Sequence, residues 1–295
     1  MSNTDTPVFD TEKNRVEVGT LYLVSTPIGN LADLSERAKK VLSEVDFVAA
    51  EDTRNSGLLL SRFGIRRPMV SYFEHNKRER GEEIAARLAS GESCALVTDA
   101  GTPAVSDPGE DLVALCAARG IPVRAVPGPV AAIAALTLSG LPTGRFCVEG
   151  FLPVGRSERR ARLSELAGET RTMLFHEAPH KLVRTLDDLR EVFGDDRRVA
   201  VCRELTKLNE EVLRATLGEV AAHFREKEPR GEFVLAVEGA PAAKTAVGDG
   251  MTVAEHVAFY EKQGASRKDA IKQVARDRGV PKNEIYQTMI GGKSE

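Results

Sequence analysis

Short apolar runs alternate with segments of helical spacing along most of this chain, and this alternation is its strongest constraint on the fold. Strands that alternate with helices are typical of βαβ units and a mainly parallel sheet. The predicted strands are residues 21–24, 47–50, 69–73, 94–97, 123–126, 146–151, 172–175, 198–202 and 233–237. The sequence therefore predicts an α/β protein with two successive α/β domains, built on mainly parallel or mixed sheets.

Glycine, proline and polar stretches mark the predicted boundaries. A hinge at residues 139–144 would separate an N-terminal domain, 19–140, from a C-terminal domain, 145–240. Residues 1–18 are predicted as a flexible tail and residues 241–250 as a linker. Helix-start signals near Thr252, Ser266 and Pro281 predict a small helical module over 251–295. Their spacing resembles a helix-turn-helix, and docking against a partner subunit is an equally good interpretation.

Composition excludes several classes of protein. The net charge of −3 gives no global attraction to nucleic acid, so any such binding needs local basic patches. The four cysteines form no C-x-x-C pair, which is typical of a reduced protein without a zinc ribbon. The chain has no apolar run of the roughly 18 residues that span a membrane, and its polar start has no signal-peptide pattern. We therefore expect a cytoplasmic protein that binds no membrane and no metal.

A long turn rich in glycine, proline and aspartate follows the fourth predicted strand. It covers residues 98–109, and we call it the signature loop. The carboxyl ends of parallel strands open into the crevice where α/β proteins bind ligands, and long loops are often functional. Ordinary turn residues in a purely structural connection would give a similar pattern. Taken alone, the segment leaves both interpretations open.

One apparent zinc signature fails on local geometry. Residues 176–180 read H-E-A-P-H, and the metalloprotease pattern needs both histidines on one continuous helix. Pro179 cannot donate a helical hydrogen bond, so it is expected to begin a new helix and to leave His176 and His180 on different elements. Neither a G-x-x-x-x-G-K-[ST] loop nor a G-x-G-x-x-G fingerprint follows the first strand. The pattern therefore favours a ligand without phosphate.

Four motifs together resemble a known family. They are residues 19–31 (GTLYLVSTPIGNL), 50–54 (AEDTR), the signature loop, and 127–129 (PGP). In this order they are similar to the ribosomal RNA small-subunit methyltransferase I family of the tetrapyrrole-methylase superfamily, and the likeness runs from about Gly19 to Gly239. The superfamily often has Gly-Asp-Pro where this chain has Gly101-Thr102-Pro103. That departure fits the RNA-methylating branch better than the tetrapyrrole branch.

The resemblance implies an activity and its partners. It implies a two-domain methylase that binds S-adenosylmethionine between the domains, usually as a homodimer. The implied reaction is methyl transfer to the 2′-hydroxyl of a cytidine in the decoding region of 16S rRNA, within the small ribosomal subunit. A superfamily methylase acting on a tetrapyrrole or another small molecule is the alternative. A non-catalytic RNA-binding ribosome factor is a third possibility.

S-adenosylmethionine carries a sulfonium, an amino-acid end and an adenine, so its site needs exposed backbone groups and an apolar slot. Small or rigid residues at successive strand ends would allow that close approach. The predicted cofactor-binding residues are Pro27, Gly29, Asp99, Gly101, Pro103, Ala104, Val105, Val130, Ala131, Ala132, Pro179, Leu205 and Ala236.

Methyl transfer to a hydroxyl also needs a proton acceptor or a nearby positive charge. The candidates at the predicted strand ends of the second domain are Glu177, Glu204 and Lys207. RNA binding would use guanidinium and ammonium groups on local loops. The predicted RNA-binding residues are Arg54, Lys77, Arg78, Arg156, Arg159 and Arg160.

Overall fold

The computed structural model describes residues 15–241 and 250–291. Most of the predicted N-terminal tail and residues 242–249 of the predicted linker lie outside the described residues. The chain divides into two compact units, residues 1–239 and 240–295.

The first unit contains two five-stranded sheets. The first sheet has the strands β1 (Leu21–Val24), β2 (Phe47–Ala50), β3 (Met69–Ser71), β4 (Cys94–Val97) and β5 (Val123–Val126). The second sheet has β6 (Phe146–Phe151), β7 (Thr172–Glu177), β8 (Arg198–Arg203), β9 (Glu211–Thr216) and β10 (Phe233–Val237). Its helices are α1 (Glu36–Glu44), α2 (Thr53–Arg62), α3 (Lys77–Ala89), α4 (Glu110–Ala118), α5 (Ala131–Ser139), α6 (Arg156–Glu165), α7 (Pro179–Phe193) and α8 (Leu217–Glu226). The predicted α/β class with parallel and mixed sheets is confirmed.

The first sheet is parallel throughout, in the order β3-β2-β4-β1-β5. Side chains of α1 and α2 pack on one face, and side chains of α3 and α4 pack on the other. Neighbouring strands β1 and β4 therefore lead to helices on opposite faces. Such a reversal is a topological switch point, where open α/β sheets form a crevice at the carboxyl ends of their strands.

The second sheet is mixed, in the order β6-β7-β10-β8-β9, and only β6 and β7 pair in parallel. Strand β9 and helix α8 were not predicted from the sequence. The strand lies at the sheet edge with no fully buried residue, so its sequence has no apolar run. The helix starts immediately afterwards with a capping box between Thr216 and Glu219.

Helix α5 joins the two halves of the first unit. It follows the first sheet in the chain, but its residues Ala132 and Leu136 pack against Leu174, Ala200 and Ala236 of the second sheet. The opposite face of that sheet is covered by α6, α7 and α8 around a larger core. Because α5 begins just after β5, its first turn lies beside the crevice of the first sheet.

Two helix starts bear on the sequence predictions. Helix α1 begins after Ser35, whose hydroxyl accepts a hydrogen bond from the Ala38 amide at 3.1 Å. Asp33, two residues earlier, ends a short 3-10 helix. Pro179 is the first residue of α7, as predicted, so His176 on β7 and His180 lie on different elements.

The second unit consists of α9 (Val253–Lys262), α10 (Arg267–Arg278) and α11 (Lys282–Gly291) around a small apolar core of its own. Thr252 forms a capping box with Glu255, and Ser266 caps α10. Gly279 ends α10 with a left-handed φ of 64°, so the chain turns directly into α11. In the part of the chain that the structure describes, no helix is long and apolar enough to cross a membrane.

Candidate functional site

A cleft of about 230 Å³ lies at the switch point of the first sheet, between the two halves of the first unit. Loops after β1 and β4 and the start of α5 form one wall, and strand ends of the second sheet form the other. The lining residues are Ile28, Ala100, Gly101, Thr102, Val105, Ser106, Asp107, Val130, Ala131, Ala132, Phe151, His176, Cys202, Leu205, Glu232 and Val234. This is where α/β sheets place their ligands.

Hydrogen bonds fix the three loops of the first wall to one another. Thr26 and Gly101 exchange two backbone hydrogen bonds, with N···O distances of 2.8 and 3.2 Å. The Thr102 hydroxyl lies 2.7 Å from the Ser25 hydroxyl and donates to the Pro129 carbonyl at 3.0 Å. The signature loop is therefore held on both sides before any ligand binds.

Left-handed backbone is concentrated at the cleft. Within the described residues, the non-glycine positions with positive φ are Ala104 and Ser106 in the signature loop, and Glu204 and Thr206 in the second half. The latter two belong to the segment between β8 and β9, residues 204–210, which we call the hairpin loop. Each pair flanks one lining residue, Val105 or Leu205. Strained non-glycine backbone persists only where its surroundings hold it, and it is concentrated at functional sites.

Gly29 lets the loop after β1 reach the hairpin loop. A β-carbon at this position would lie 2.8 Å from Thr206 Oγ1 and 3.0 Å from the Leu205 carbonyl oxygen. Real β-carbons do not fit at such distances, so a larger residue would push the two loops apart. Gly29 therefore sets the separation of the two walls, although it does not itself line the cleft.

Asp107 is the acidic residue that the first wall presents to the cleft. Burial, the neighbouring Glu51 carboxylate and, to a smaller extent, Asp99 raise the pKa of Asp107 to about 6, although a hydrogen bond with Thr98 opposes the shift. The Thr98 hydroxyl also donates to Glu51 Oε2 at 3.0 Å. Within the described residues Asp107 forms no ion pair, so its charge faces the cleft without a cation.

An aromatic pair lines the second wall. The rings of Phe151 and His176 lie with centroids 5.5 Å apart and planes tilted by 34°. Burial lowers the pKa of His176, so its ring is neutral at physiological pH. Phe151 is 62% exposed, which is unusual for a phenylalanine beside a cleft. The pair presents a flat apolar surface to whatever enters.

The structure brings six of the predicted cofactor-binding residues to the cleft. They are Gly101, Val105, Val130, Ala131, Ala132 and Leu205. The other seven do not line it, and they are Pro27, Gly29, Asp99, Pro103, Ala104, Pro179 and Ala236. Asp99 is exposed and accepts a hydrogen bond from Asn55, and Ala236 is fully buried beneath α5.

None of the predicted catalytic residues lines the cleft. Glu177 is only 6% exposed, and its carboxylate accepts hydrogen bonds from the Ala178 amide and the Thr185 hydroxyl. Lys207 Nζ lies 2.8 Å from Glu204 and 3.0 Å from Glu232, so these three side chains form an ion-pair cluster on the hairpin loop. The single Lys207 ammonium bridges the two carboxylates, which suits a structural role.

The predicted RNA-binding residues fall into three groups. Arg159 is 4% exposed and binds Asp188 at 2.6 Å, so its guanidinium is used inside the protein and is unavailable to RNA. Arg54, Lys77 and Arg160 lie near the surface but pair with Asp52, with Glu74 and Asp111, and with Glu191. Arg78 and Arg156 are exposed and make no ion pair with any residue that the structure describes.

The sequence reasoning missed several lining residues, above all Asp107, Ser106, Phe151 and His176. Asp107 and Ser106 are in the signature loop, where aspartate and serine are also common turn residues. Phe151 ends β6 and His176 is near the end of β7, so strand-end position was the available signal. In the described residues, no three His, Cys, Asp or Glu side chains are grouped as metal ligands.

Comparison with known proteins gives the class of the fold and site. Residues 20–221 match the family model described as Tetrapyrrole (Corrin/Porphyrin) Methylases. Uroporphyrin-III C-methyltransferase of Thermus thermophilus, solved with S-adenyl homocysteine, aligns with a TM-score of 0.54 and 21% identity over 74% of this chain and 97% of that one. A cobalt precorrin-4 methyltransferase aligns with a TM-score of 0.54, 18% identity, and coverages of 74% and 94%. The class is a methylase of the tetrapyrrole-methylase fold.

Curated relatives narrow this class. Proteins named Ribosomal RNA small subunit methyltransferase I are 44% identical in Synechocystis sp., over 92% of this chain and 98% of the relative. The identity is 47% in Halalkalibacterium halodurans, with coverages of 93% and 96%, and 44% in Escherichia coli O157:H7, with coverages of 91% and 94%. The chain belongs to the ribosomal RNA small subunit methyltransferase I family. The family resemblance and the methyltransferase class predicted from the sequence are confirmed.

Proposed function

We propose that this protein transfers a methyl group from S-adenosylmethionine to the ribose 2′-hydroxyl of a cytidine in the decoding region of 16S rRNA. The observation that carries the proposal is the cleft at the switch point, walled by the signature loop, in a chain of this family. The reaction is a direct displacement at the sulfonium methyl, which requires oxygen, carbon and sulfur in line.

The cleft fits the cofactor in its chemistry. Its first wall offers small apolar side chains and backbone groups from Ala100, Gly101 and Ala131, and it has no phosphate-binding glycine loop. Helix α5 starts at this wall without a side-chain cap. Its first amides are thus free to bind the carboxylate of an amino acid, and the helix dipole favours that charge. When bound, the cofactor supplies an electrophilic methyl group, and the chain supplies orientation and exclusion of water.

Thr102 supports the RNA-methylating assignment over the tetrapyrrole alternative. Its hydroxyl donates to the Pro129 carbonyl and contacts Ser25, so it acts as an internal tie between loops. An aspartate there would direct a carboxylate at that carbonyl oxygen, and two acceptors cannot hydrogen-bond to each other. Thr102, in place of the aspartate of Gly-Asp-Pro, therefore fits the hydrogen bonds of this wall.

The second wall suits an unpaired nucleotide. Sequence-specific RNA recognition commonly stacks splayed bases on aromatic side chains, and Phe151 offers such a face beside the cleft. Helix α6 begins nearby in the chain with the unpaired Arg156. A guanidinium at this position would bind a backbone phosphate of the same strand.

The assembly and its location complete the proposal. We infer a cytoplasmic homodimer that acts on the small ribosomal subunit. Edge strand β6 supports self-association, because Phe146 and Val148 are partly exposed apolar side chains and Val154 beyond it is 70% exposed. Light scattering coupled to gel filtration would measure the mass in solution. A strictly monomeric chain at assay concentrations would contradict the dimer.

The function is tested with methyl-labelled S-adenosylmethionine and 30S particles that lack the modification. We expect label in the rRNA that resists alkaline hydrolysis and that digestion releases as 2′-O-methylcytidine. Label on a base, or none on rRNA, would refute the ribose assignment. Transfer to tetrapyrrole precursors in a parallel incubation would favour the small-molecule alternative. No cofactor binding by calorimetry would favour a non-catalytic RNA-binding factor.

A further inference from the structure

The cleft contains one acid that is free to act as a base. Two carboxylates line it within the described residues, Asp107 and Glu232. Glu232 is ion-paired with Lys207 and its side chain is 79% exposed. Asp107 is partly buried and has no cation partner among the residues that the structure describes. The two acids are therefore not equivalent.

The backbone fixes the position of Asp107. It follows Ser106, whose φ is 64°, and precedes Pro108, whose ring restricts the next φ. Gly109 then adopts a φ of 149°, and a β-carbon there would lie 3.0 Å from the Ala104 amide nitrogen. This carboxylate is consequently held by a loop that has little freedom to move.

Its surroundings adjust its basicity. The charged groups near Asp107 on the first half are Glu51, at the end of β2, and Asp99, after β4. On the second half, His176 and Glu232 line the same cleft. Burial and the two first-half carboxylates disfavour the charged form, so the pKa is about 6 instead of the usual 3.8. A base is most useful when its pKa lies near, but below, the working pH.

We propose that Asp107 is the catalytic base that accepts the proton of the substrate hydroxyl. This inference rests on the proposed function. As the ribose oxygen bonds to the sulfonium methyl carbon, the carbon–sulfur bond breaks and its electron pair returns to sulfur, which leaves a neutral thioether. The hydroxyl proton moves to the Asp107 carboxylate, and solvent removes it after product release. Charge and atoms balance without any co-reactant.

The alternatives among the nearby acids are less suitable. Glu177 is buried with its carboxylate hydrogen-bonded, and Glu204 is neutralised by Lys207. Neither of them lines the cleft. His176 lines it as a neutral ring, so it is the competitor that the experiment must separate from Asp107.

The test measures kcat between pH 5 and 9 at saturating S-adenosylmethionine and saturating 30S particles. For the wild type we expect kcat to rise with pH through about 6 and then to level off, because the ionised carboxylate is the active form. Asp107→Asn should lower kcat by about 10²- to 10⁴-fold and remove this acid limb. Its affinity for S-adenosylmethionine, measured by calorimetry, should stay near the wild-type value. An acid limb that persists in this variant would assign the titration to His176.

A second variant covers the case in which Asp107→Asn does not fold. Asp107→Ala leaves space for a small acid, and added formate should restore part of its activity. The matched control is Asp196→Asn, an exposed aspartate at the amino end of β8, opposite the cleft. We expect this control to match the wild type in rate and in pH profile.

The outcomes separate the two proposals. If the wild type methylates ribose and Asp107→Asn keeps an unchanged kcat, the assignment of Asp107 as the base is wrong but the proposed function stands. A wild-type kcat that is flat across pH 5 to 8 would have the same meaning. Loss of S-adenosylmethionine affinity with normal kcat at saturation would make Asp107 a cofactor ligand and overturn that assignment too. A wild type that leaves rRNA unlabelled would refute the proposed function, and the base with it.

Discussion

The two loops that face each other across the cleft both contain left-handed non-glycine residues, but different interactions hold them in place. Each places one apolar residue, Val105 or Leu205, between two left-handed residues. The signature loop is held by backbone and hydroxyl hydrogen bonds, and its Asp107 has no cation partner among the residues that the structure describes. The hairpin loop is held by Lys207 between Glu204 and Glu232. In the signature loop the Asp107 carboxylate is therefore available to a substrate, whereas in the hairpin loop the charged side chains pair with one another and stabilise the loop.

Among changes to the contacts that build the two loops, the largest effect on activity is expected where the loops meet. Gly29→Val would place side-chain atoms against Thr206 and the Leu205 carbonyl and push the hairpin loop outward. Misplacement by about 1 Å can cost roughly 100-fold in rate, and we expect a loss of that order in kcat/KM with weaker S-adenosylmethionine binding. Calorimetry and labelled-methyl transfer measure the two effects.

Gly144→Ala is the matched control for this change, because a β-carbon there meets no atom within 4 Å. It should behave as the wild type. If Gly29→Val kept normal cofactor affinity and rate, the position of the hairpin loop would not depend on its close contact with Gly29.

The next effect separates substrate binding from cofactor binding. Phe151→Ala removes the exposed face of the aromatic pair with His176. Stacking of one base on an aromatic ring contributes about 1–3 kcal/mol, so KM for 30S particles should rise by roughly 5- to 150-fold. Affinity for S-adenosylmethionine should not change. Phe151→Tyr, which keeps a stacking face, is the conservative control, and an equal loss in both variants would contradict stacking.

A smaller effect is expected from the ion pairs of the hairpin loop. Lys207→Ala removes both pairs, and partly exposed pairs contribute about 0.2–1 kcal/mol each to stability. We expect the hairpin loop to stay in place and kcat/KM to fall by a few-fold at most. Lys207→Arg should retain the pairs and most of the activity. A loss of 10³-fold in Lys207→Ala with normal cofactor binding would instead mean that Lys207 takes part in the reaction, as its position near a strand end first suggested.

The first sheet was predictable from sequence because its central strands β1, β2 and β4 are buried on both faces and stand out as apolar runs. Strand β9 was not, since its residues are partly or fully exposed at a sheet edge. The packing of α5 on the second sheet was also missed, because an alanine-rich helix carries no signal for its partner.

For the site, the sequence could predict which strand ends would surround it, but not which side chains would point into it. Gly101 and Leu205, predicted from their position at strand ends, line the cleft, whereas the Glu177 side chain does not and accepts a hydrogen bond from Thr185 of α7. The direction of a side chain depends on tertiary packing, which the local pattern does not contain. For the same reason Arg159 looked like part of a basic surface, although it binds Asp188 in the interior.

The last effect concerns stability instead of activity, and it has a definite sign. The folded-state pKa of Asp107 is about 6, above the ordinary value of 3.8, so between these values the folded chain holds a proton that the unfolded chain has lost. Stability therefore falls as pH rises through this window, and it stays lower above pH 6. Asp107→Asn removes the titration, so the variant should gain stability relative to the wild type as pH rises from 4 to 7. Urea unfolding midpoints at several pH values measure the difference, with Asp196→Asn as the control. A difference that is constant with pH would mean that folding does not disfavour the charged form of Asp107. The signature loop and the hairpin loop would then not differ in how they treat their carboxylates.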